Sequence, residues 1–445
     1  MTPGLVYAAD ARYARAVEAA IPAGTEVLWG EDYPALAATP AGPRVDAAHE
    51  AIGPETISKF LLTSGSTGMP KAVIHTQRML VANQQMIVDC LPFLAEEPPV
   101  LVDWLPWNHT FGGSHNFGLA LFNGGTLYID EGKPTPQLIG ETLRNLREIS
   151  PTVYFNVPRG FEELARALDA DPALATRFFS RLKMMFYAAA GLSQPIWDSL
   201  HRIAERTVGE RILMITGLGM TETAPFAVCA NWEAGRSGGI GLPAPGMELR
   251  LAPVEGKLEV RYRGPNVTPG FWRADALTRA AYDEDGFYRS GDAARFVDPA
   301  DPRRGLVFDG RIAEDFKLDT GTWVSVGPLR ARIIAAGDPY VQDAVITGHD
   351  RAEVGALIVP RPGVPDTPEM RRFFQRLIDT LALEASASSQ RVARAVLLSE
   401  PLSIDAGEIT DKGSINQRAV LAARAALLEE LYAAAPSPRV FLPST

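Results

Sequence analysis

The stretch that most constrains the fold is LLTSGSTGMPKAVIHTQ, residues 61–77, where glycines, hydroxyl side chains and one lysine directly follow an apolar run. Glycines let the backbone approach a ligand, and N–H and hydroxyl groups can donate hydrogen bonds to phosphate oxygens. Lys71 would add a compact cation beside them. A P-loop is excluded, because that motif ends in Gly-Lys-Ser/Thr and here the lysine follows Met69-Pro70. A Gly/Ser-rich turn taken alone is more often structural, so other segments must decide.

Composition narrows the class of protein. The 445 residues are enough for two or three domains, and a 46% hydrophobic content can fill their cores. A net charge of −10 without a basic stripe argues against a nucleic-acid partner. Apolar runs fall short of the roughly 20 residues that cross a bilayer, and the start lacks a signal-peptide pattern. We therefore expect a cytoplasmic protein without a membrane partner, in which Cys90 and Cys229 are small apolar residues rather than a disulfide, zinc site or nucleophile.

Hydrophobic periodicity predicts an α/β protein with three parts. Residues 4–30 read as strand, helix, strand, and short strands alternate with amphipathic helices up to about residue 235. Gly- and Pro-punctuated strands then indicate a β-rich subdomain over 236–311. A smaller α+β domain is predicted over 312–445, with a frayed tail at 436–445. The first part, 1–235, and the β-rich subdomain would form one large domain.

Four further fragments carry polar side chains at strand ends or turns. TGLGMTETAP places Glu222 where the dinucleotide-binding pattern needs glycine, so a nicotinamide fold is not supported, but such a carboxylate could hold a hard cation on phosphates. FYRSGD places Asp292 after a tight turn, where it could accept hydrogen bonds from a ribose diol. GRIAEDFK adds Arg311 and EITDKGSINQR adds Lys412. Each fragment alone could be a turn or an exposed ion pair, but their order is hard to attribute to chance.

Together the fragments resemble the adenylate-forming superfamily of acyl-CoA synthetases, nonribosomal-peptide adenylation domains and firefly luciferase. The matches are 63–71 to the phosphate loop T-S-G-[ST]-T-G-x-P-K, 219–222 to G-M-T-E, 288–292 to Y-R-[ST]-G-D, 310–311 to the G-R motif and 411–413 to the late lysine motif. Within that family, residues 105–136 and TDKGSINQR look most like feruloyl-CoA synthases.

This resemblance implies the adenylate-forming fold, with a large α/β domain, its β-rich subdomain and a small mobile C-terminal domain. It implies an ATP-dependent acid–CoA ligase that uses Mg²⁺ and coenzyme A. The acid carboxylate would attack the α-phosphorus of ATP to give acyl-AMP and pyrophosphate, and the thiol of coenzyme A would then displace AMP. The partner would be a small aromatic, hydroxycinnamate-type acid such as ferulate; the oligomeric state stays open.

The resemblance also implies roles for individual residues. The catalytic set would be Lys412, Glu222, Thr221 and Lys71, with Glu222 also holding Mg²⁺. The nucleotide and coenzyme A would be bound by Thr63, Ser64, Gly65, Ser66, Thr67, Gly68, Lys71, Gly217, Leu218, Thr221, Asp292, Arg311 and Gly321. The acid pocket would be formed by Trp107, Asn108, His109, Phe111, Ala190, Gly191 and Gly217. An isolated histidine in an apolar run is usually a core residue, but the position of His109 in the family's aromatic segment favours binding.

Three features depart from the family pattern. Leu218 stands where a tyrosine usually stacks on adenine, and the hinge could be Glu314 or Asp315. The phosphate loop also begins near residue 63, so we expect that an opening lobe of the large domain is absent. Two alternatives to the ligase stay open. One, from the same chemistry, is an adenylation domain that loads a carrier protein; the other, suggested by the absent lobe, is a non-catalytic nucleotide-binding remnant.

Overall fold

The computed structural model describes residues 3–64, 70–135, 137–233, 237–403, 406–409 and 415–444. The chain divides into two units, Met1–Thr56 and Ile57–Thr445. The first unit contains, in order, β1 (Leu5–Ala8), α1 (Ala14–Ala20), β2 (Glu26–Trp29), α2 (Tyr33–Ala37) and α3 (Pro43–Glu50). Strands β1 and β2 are parallel, which confirms the predicted strand–helix–strand start.

The second unit opens with a hairpin that carries the candidate phosphate loop. Strands β3 (Ile57–Ser64) and β4 (Pro70–Thr76) are antiparallel, with Thr63 opposite Lys71. The glycine-containing segment therefore connects two strands, as a chain reversal after an apolar strand requires. Helix α4 (Gln77–Cys90) follows at once, because the hydroxyl of Thr76 caps it by accepting a 3.3 Å hydrogen bond from the Met79 amide.

Parallel strands and helices come next, as the periodicity predicted. The elements are α5 (Phe93–Glu96), β5 (Val100–Asp103), a π-helical turn (Phe111–Asn116), α6 (Phe117–Phe122), β6 (Thr126–Ile129), α7 (Ile139–Glu148), β7 (Val153–Asn156), α8 (Pro158–Ala170), α9 (Pro172–Phe179), β8 (Met184–Tyr187), α10 (Gln194–Val208), β9 (Leu213–Gly219) and β10 (Phe226–Ala230). Strand β5 pairs with β6, and β7, β8 and β9 pair in sequence order, all parallel. Helix α8 buries Phe161, Leu164 and Leu168 in the core beside them, a helical spacing.

The strands predicted as a β-rich subdomain extend the same sheet. They are β11 (Gly239–Pro243), β12 (Glu248–Val254), β13 (Lys257–Arg263), β14 (Tyr288–Phe296) and β15 (Leu306–Arg311), with α11 (Asp275–Ala281) before β14. The nine-stranded order is β12-β13-β14-β15-β11-β10-β9-β8-β7. The ends of β9 and β14, which carry the G-M-T-E and Y-R-S-G-D motifs, thus belong to one sheet, while the predicted domain boundaries at 235 and 311 stay predictions.

The C-terminal segment has its own sheet. Its elements are β16 (Phe316–Lys317), β17 (Trp323–Val324), α12 (Val326–Ala336), β18 (Val341–Thr347), β19 (Val354–Pro360), α13 (Pro368–Leu383), β20 (Val392–Leu397), α14 (Gln417–Ala423), α15 (Ala425–Leu431) and β21 (Val440–Phe441). The expectation of a frayed tail is wrong for β21, which pairs with β20. Phe441 is only 3% exposed and its ring lies 6.3 Å from that of Phe374, so burial of apolar surface orders this part of the tail.

The two cysteines lie side by side although 139 positions separate them in the sequence. Cys90 ends α4, Cys229 lies in β10, and their free thiols are in hydrogen-bonding contact. Both pack against the cluster of apolar residues between α4 and the sheet.

Among the helices of the described residues, none has the length and apolar character needed to cross a membrane.

Candidate active site

The predicted phosphate-binding lysine and the predicted metal-binding carboxylate are direct partners. Lys71 in β4 places its Nζ 3.2 Å from Oε1 of Glu222 and 4.2 Å from the ring centre of Phe271. Glu222 lies on a short 3-10 turn, Thr221–Thr223, directly after β9, and is 3% exposed. The pairing keeps a buried negative charge tolerable, since an isolated buried carboxylate would be costly.

Tyr288 is a second partner of Glu222, and the sequence analysis gave it no role beyond its place in Y-R-S-G-D. Its hydroxyl hydrogen-bonds to Glu222. Burial, and then the neighbouring charge of Glu222, raise the pKa of Tyr288 above its usual value, so the phenol stays a donor. Tyr288 is 3% exposed, and the ring of Tyr282 stands edge-on to it at 5.4 Å.

Asp292 and Arg311 form the other pair of the site. They face each other across β14 and β15, with Asp292 Oδ1 3.3 Å from Arg311 Nε. Burial raises the pKa of Asp292; the positive charge of Arg311 opposes this rise, and the negative charges of Glu314 and Glu222 add to it. The tight turn expected before Asp292 is wrong: Gly291 and Asp292 both lie inside β14, at an irregularity of its pairing with β13, where the φ of +73° at Gly291 is strained for other residues. Tyr288, which hydrogen-bonds to Glu222, lies in the same strand as Asp292, so β14 connects the two pairs.

A buried histidine, His75, hydrogen-bonds to the backbone of Thr221, and no prediction from the sequence included it. The Nε2–H of His75 in β4 donates a 2.8 Å hydrogen bond to the Thr221 carbonyl. His75 has no solvent exposure, and burial, opposed by this hydrogen bond and supported by Lys59, lowers its pKa to about 4. Its only signal in the sequence is its place in the phosphate-loop hairpin.

This histidine predicts a pH dependence of stability. His75 titrates at 6.5 in the unfolded chain and at about 4 in the folded one, so its contribution is complete above pH 6.5 and declines as the pH falls towards 4. The free energy of unfolding of the wild type minus that of His75→Gln should therefore fall by up to about 3 kcal/mol between pH 7 and pH 4. Urea unfolding at several pH values measures it, with the exposed His49→Gln as control; a pH-independent difference would refute the assignment.

The residues predicted for the acid pocket separate into two groups. Phe111 is buried, and its ring lies 6.0 Å from that of Phe186. Gly217 faces the same ring, since a Cβ added there would lie 3.5 Å from Phe186 Cζ and only 2.4 Å from the Val228 carbonyl oxygen. The remaining members are half-buried or exposed: His109, Trp107, Asn108, Ala190 and Gly191. The Trp107 ring, 48% exposed, packs 5.1 Å from Phe117, and His109 Nδ1 accepts a 3.1 Å hydrogen bond from the Phe111 amide.

The other predicted binding residues are spread over several elements. Thr63 and Ser64 end β3, Leu218 in β9 packs with apolar residues of the neighbouring strands, and Gly321 lies in the turn between β16 and β17 with a φ of +80°. The predicted residues that lie outside the described parts of the chain are Gly65, Ser66, Thr67, Gly68 and Lys412. Their roles, like those of the whole predicted set, stay predictions.

The two hinge candidates differ in their surroundings. The Asp315 side chain is fully buried, with Oδ2 2.5 Å from Lys257 Nζ in β13 and Oδ1 accepting a 2.9 Å hydrogen bond from the Val326 amide of α12. Glu314 is half-buried at the end of a 3-10 turn, Ile312–Glu314. Asp315 therefore connects the large sheet to the first helix of the C-terminal segment.

This fold, with Lys71 on a separate hairpin, Glu222 on the turn after β9 and the Asp292–Arg311 pair across β14 and β15, defines an AMP-binding enzyme. The chain belongs to that family: the family model for AMP-binding enzymes matches residues 8–272, and the model for the AMP-binding enzyme C-terminal domain matches 316–436. The predicted superfamily is thereby confirmed.

Individual relatives are distant. The chain is 21% identical, over 86% of its length and 64% of the other, to probable acyl-activating enzyme 16 of Arabidopsis thaliana. It is 25% identical, over 78% of its length and 64% of the other, to 3-hydroxybenzoate–CoA ligase of Aromatoleum sp. (strain CIB). It thus spans less than two thirds of these curated relatives.

Solved structures share the fold. ATP-bound MatB from Rhodopseudomonas palustris is similar with a TM-score of 0.70, at 23% identity over 94% of this chain and 78% of that one. The anthranilate CoA ligase AuaEII in complex with anthranoyl-AMP is similar with a TM-score of 0.72, at 20% identity over 95% of this chain and 78% of that one. The predicted adenylate-forming fold, a large α/β domain followed by a C-terminal domain, is confirmed.

Proposed function

We propose that this chain is an ATP-dependent acid–CoA ligase that activates an aromatic, hydroxycinnamate-type acid through an acyl-adenylate. The observation that carries the proposal is the Lys71–Glu222 pair, 3.2 Å apart, which Tyr288 connects to β14, the strand that carries Asp292 and pairs it with Arg311. Two cations and two buried carboxylates on neighbouring elements suit a nucleoside triphosphate with its metal ion. Membership of the AMP-binding family supports the same chemistry.

The site residues have separate tasks in this reaction. Negative charge grows on the α-phosphate as the acid carboxylate attacks, and Lys71 and Arg311 supply preorganised positive charge for phosphates. Asp292 would accept hydrogen bonds from the ribose diol. Glu222 fits one ligand position for Mg²⁺, because it is a buried carboxylate whose partners, Lys71 and the Tyr288 hydroxyl, hold it in a fixed orientation. Bound Mg²⁺ would neutralise phosphate oxygens.

The aromatic substrate is supported by packing and by relatives. Phe111, Phe155 and Phe186 form a cluster with ring centres 5.5–6.4 Å apart, next to Gly217. Aromatic walls suit a flat acid. Similar proteins include a 3-hydroxybenzoate–CoA ligase and an anthranilate CoA ligase, although a malonate–CoA ligase is also among them.

A second candidate function is adenylation that serves an acceptor other than coenzyme A. The chain is 26% identical, over 86% of its length, to a carboxylic acid reductase of Segniliparus rugosus. Pyrophosphate release from ATP and ferulate, measured with and without coenzyme A, tests both functions. Feruloyl-CoA formation supports the ligase, adenylate formation without thioester supports the second candidate, and neither activity supports a non-catalytic nucleotide-binding protein.

Lys412 is proposed to act in only one half-reaction, on the strength of the late lysine motif. We expect Lys412→Ala to slow adenylation by about 10²-fold, because a preorganised cation is lost at the α-phosphate. Thioester formation from supplied feruloyl-AMP should be largely retained. The exposed Lys133→Ala serves as the control, and an equal loss in both half-reactions would contradict this role.

A further inference from the structure

A chain of three buried polar side chains runs from the end of β5 into the π-helical turn. Asp103 Oδ1 accepts a 3.1 Å hydrogen bond from the Leu105 amide, and its Oδ2 accepts a 3.0 Å hydrogen bond from Asn116 Nδ2. Asn116 Oδ1 lies 2.9 Å from His115 Nδ1. The three side chains belong to residues that are at most 5% exposed. These hydrogen bonds thus fix the ring of His115 in one orientation.

The order of donors and acceptors determines the tautomer of His115. Burial raises the pKa of Asp103 to about 7, and above that pH its carboxylate can only accept. It therefore takes the hydrogen bond from the amide nitrogen of Asn116, and the amide oxygen of Asn116 faces His115. That oxygen can only accept, and therefore Nδ1 of His115 carries the proton. Burial lowers the pKa of His115 to about 4, so the ring is neutral near pH 7. Its Nε2 is consequently a bare hydrogen-bond acceptor.

This acceptor lies in an aromatic cage. Among the described residues Nε2 has no hydrogen-bond partner, and its atom is buried. Four rings surround the imidazole at centre distances of 5.1–6.0 Å, those of Phe111, Phe155, Phe186 and Phe226. An unsatisfied buried acceptor costs about 1–3 kcal/mol, a cost that a donor from a ligand would remove. The cage adjoins the proposed acid pocket, because it includes Phe111 and because Phe186 faces Gly217.

We propose that His115 is a specificity-determining residue that accepts a hydrogen bond, at Nε2, from a hydroxyl group on the aromatic acid. This inference rests on the proposed function and narrows its substrate class to hydroxylated aromatic acids. An acid that lacks the hydroxyl leaves the acceptor unsatisfied, and a methyl ether at the same position places a second lone pair against it. Asn116 and Asp103 are positioning residues, which act through His115.

The first test compares acids that differ by one hydroxyl group. The specificity constant kcat/KM for adenylation is measured on cinnamate and on its 2-, 3- and 4-hydroxy derivatives. We expect the wild type to prefer at least one hydroxycinnamate by about 10²-fold, since sites built to bind a hydroxyl reject analogues without it. In His115→Phe the preference should fall to within about threefold, because kcat/KM for the hydroxycinnamate falls towards that for cinnamate. His115→Gln, which can still offer an acceptor, should keep part of the preference.

The second test changes Nε2 of His115 from an acceptor to a donor by a substitution at Asp103, not at His115 itself. In Asp103→Asn the new amide would donate to Asn116 Oδ1, the Asn116 amide would turn to donate to Nδ1 of His115, and Nε2 would carry the proton. We expect activity on the methoxycinnamate relative to the matching hydroxycinnamate to rise at least about tenfold, because a protonated Nε2 can donate to an ether oxygen. A purely structural role of Asp103 would lower activity on both acids equally.

Failure of this inference is distinguishable from failure of the proposed function. Adenylation of hydroxycinnamates with an unchanged hydroxyl preference in His115→Phe would overturn the role of His115 alone. Adenylation restricted to non-aromatic acids would overturn the proposed substrate and, with it, this inference. Thermal unfolding of each variant shows that it is folded before its rates are compared.

Discussion

Glu222→Gln is expected to lower the ATP–pyrophosphate exchange rate by about 10²–10³-fold, the usual cost of removing one preorganised charged group. Glutamine keeps the shape of the side chain but removes the charge that pairs with Lys71 at 3.2 Å and that would hold Mg²⁺. Exchange is measured over a range of Mg²⁺ concentrations. If Glu222 is a metal ligand, the Mg²⁺ concentration for half-maximal rate should rise at least about tenfold in the variant. Even mutation of a residue that only hydrogen-bonds to a metal ligand typically lowers metal affinity by about 10–100-fold.

Loss of a buried charge could by itself weaken the fold, so the control must share that property. The Asp283 side chain is 4% exposed and pairs with Arg261 at 3.0 Å, which makes Asp283→Asn a matched loss of a buried, paired carboxylate. It should lower stability without changing the Mg²⁺ requirement. A Glu222→Gln variant that is slow but has the wild-type Mg²⁺ dependence would show that Glu222 only positions Lys71.

Asp315→Ala should lower the free energy of unfolding by about 3 kcal/mol, at the lower end of the range for breaking a buried ion pair. The change removes the carboxylate 2.5 Å from Lys257 Nζ, whose side chain is 6% exposed. We expect a loss at the lower end of that range because Lys257 Nζ keeps a second partner, Asp309. Its Oδ2 lies 3.9 Å and its carbonyl oxygen 2.5 Å from Nζ. Urea unfolding, followed by fluorescence and circular dichroism, measures the difference.

The adjacent Glu314→Ala provides the comparison for Asp315→Ala. It removes a carboxylate that is not part of the pair with Lys257 and should change stability by less than about 0.5 kcal/mol. The double variant Lys257→Met/Asp315→Leu removes both charges and should recover most of the loss, as replacing buried pairs by apolar residues often does. Equal effects of the two single alanine variants would argue against a special role of Asp315 in joining β13 to α12.

Much of the fold is predictable because its signals are local. Apolar spacing in PRGFEELARALDA and the short runs before and after it predict α8 and its neighbouring strands, since a buried face imposes a period on the residues that form it. The five motifs likewise indicate a nucleotide-binding enzyme of the AMP-binding family. They do so through their joint resemblance to the pattern of that family.

The candidate site was only partly predictable for the opposite reason. The predicted site contained Lys71, Glu222, Asp292 and Arg311, which form two close pairs in the structure. It omitted Tyr288, the second partner of Glu222. It also grouped Trp107 and Phe111 in one acid pocket, whereas Trp107 is 48% exposed and Phe111 is buried. Adjacent residues on a turn can face opposite directions, and no periodic pattern records which one faces inwards.

By itself the sequence determined the order of helices and strands, the family and the residue types available for phosphate chemistry, because these depend on neighbours along the chain. Only the tertiary structure decided that Cys90 meets Cys229, that Phe441 completes a sheet, and that His115 is held by Asn116 and Asp103 inside an aromatic cage. Such contacts join elements that are separated along the chain. Their partners are therefore selected by packing and burial, which no local pattern contains.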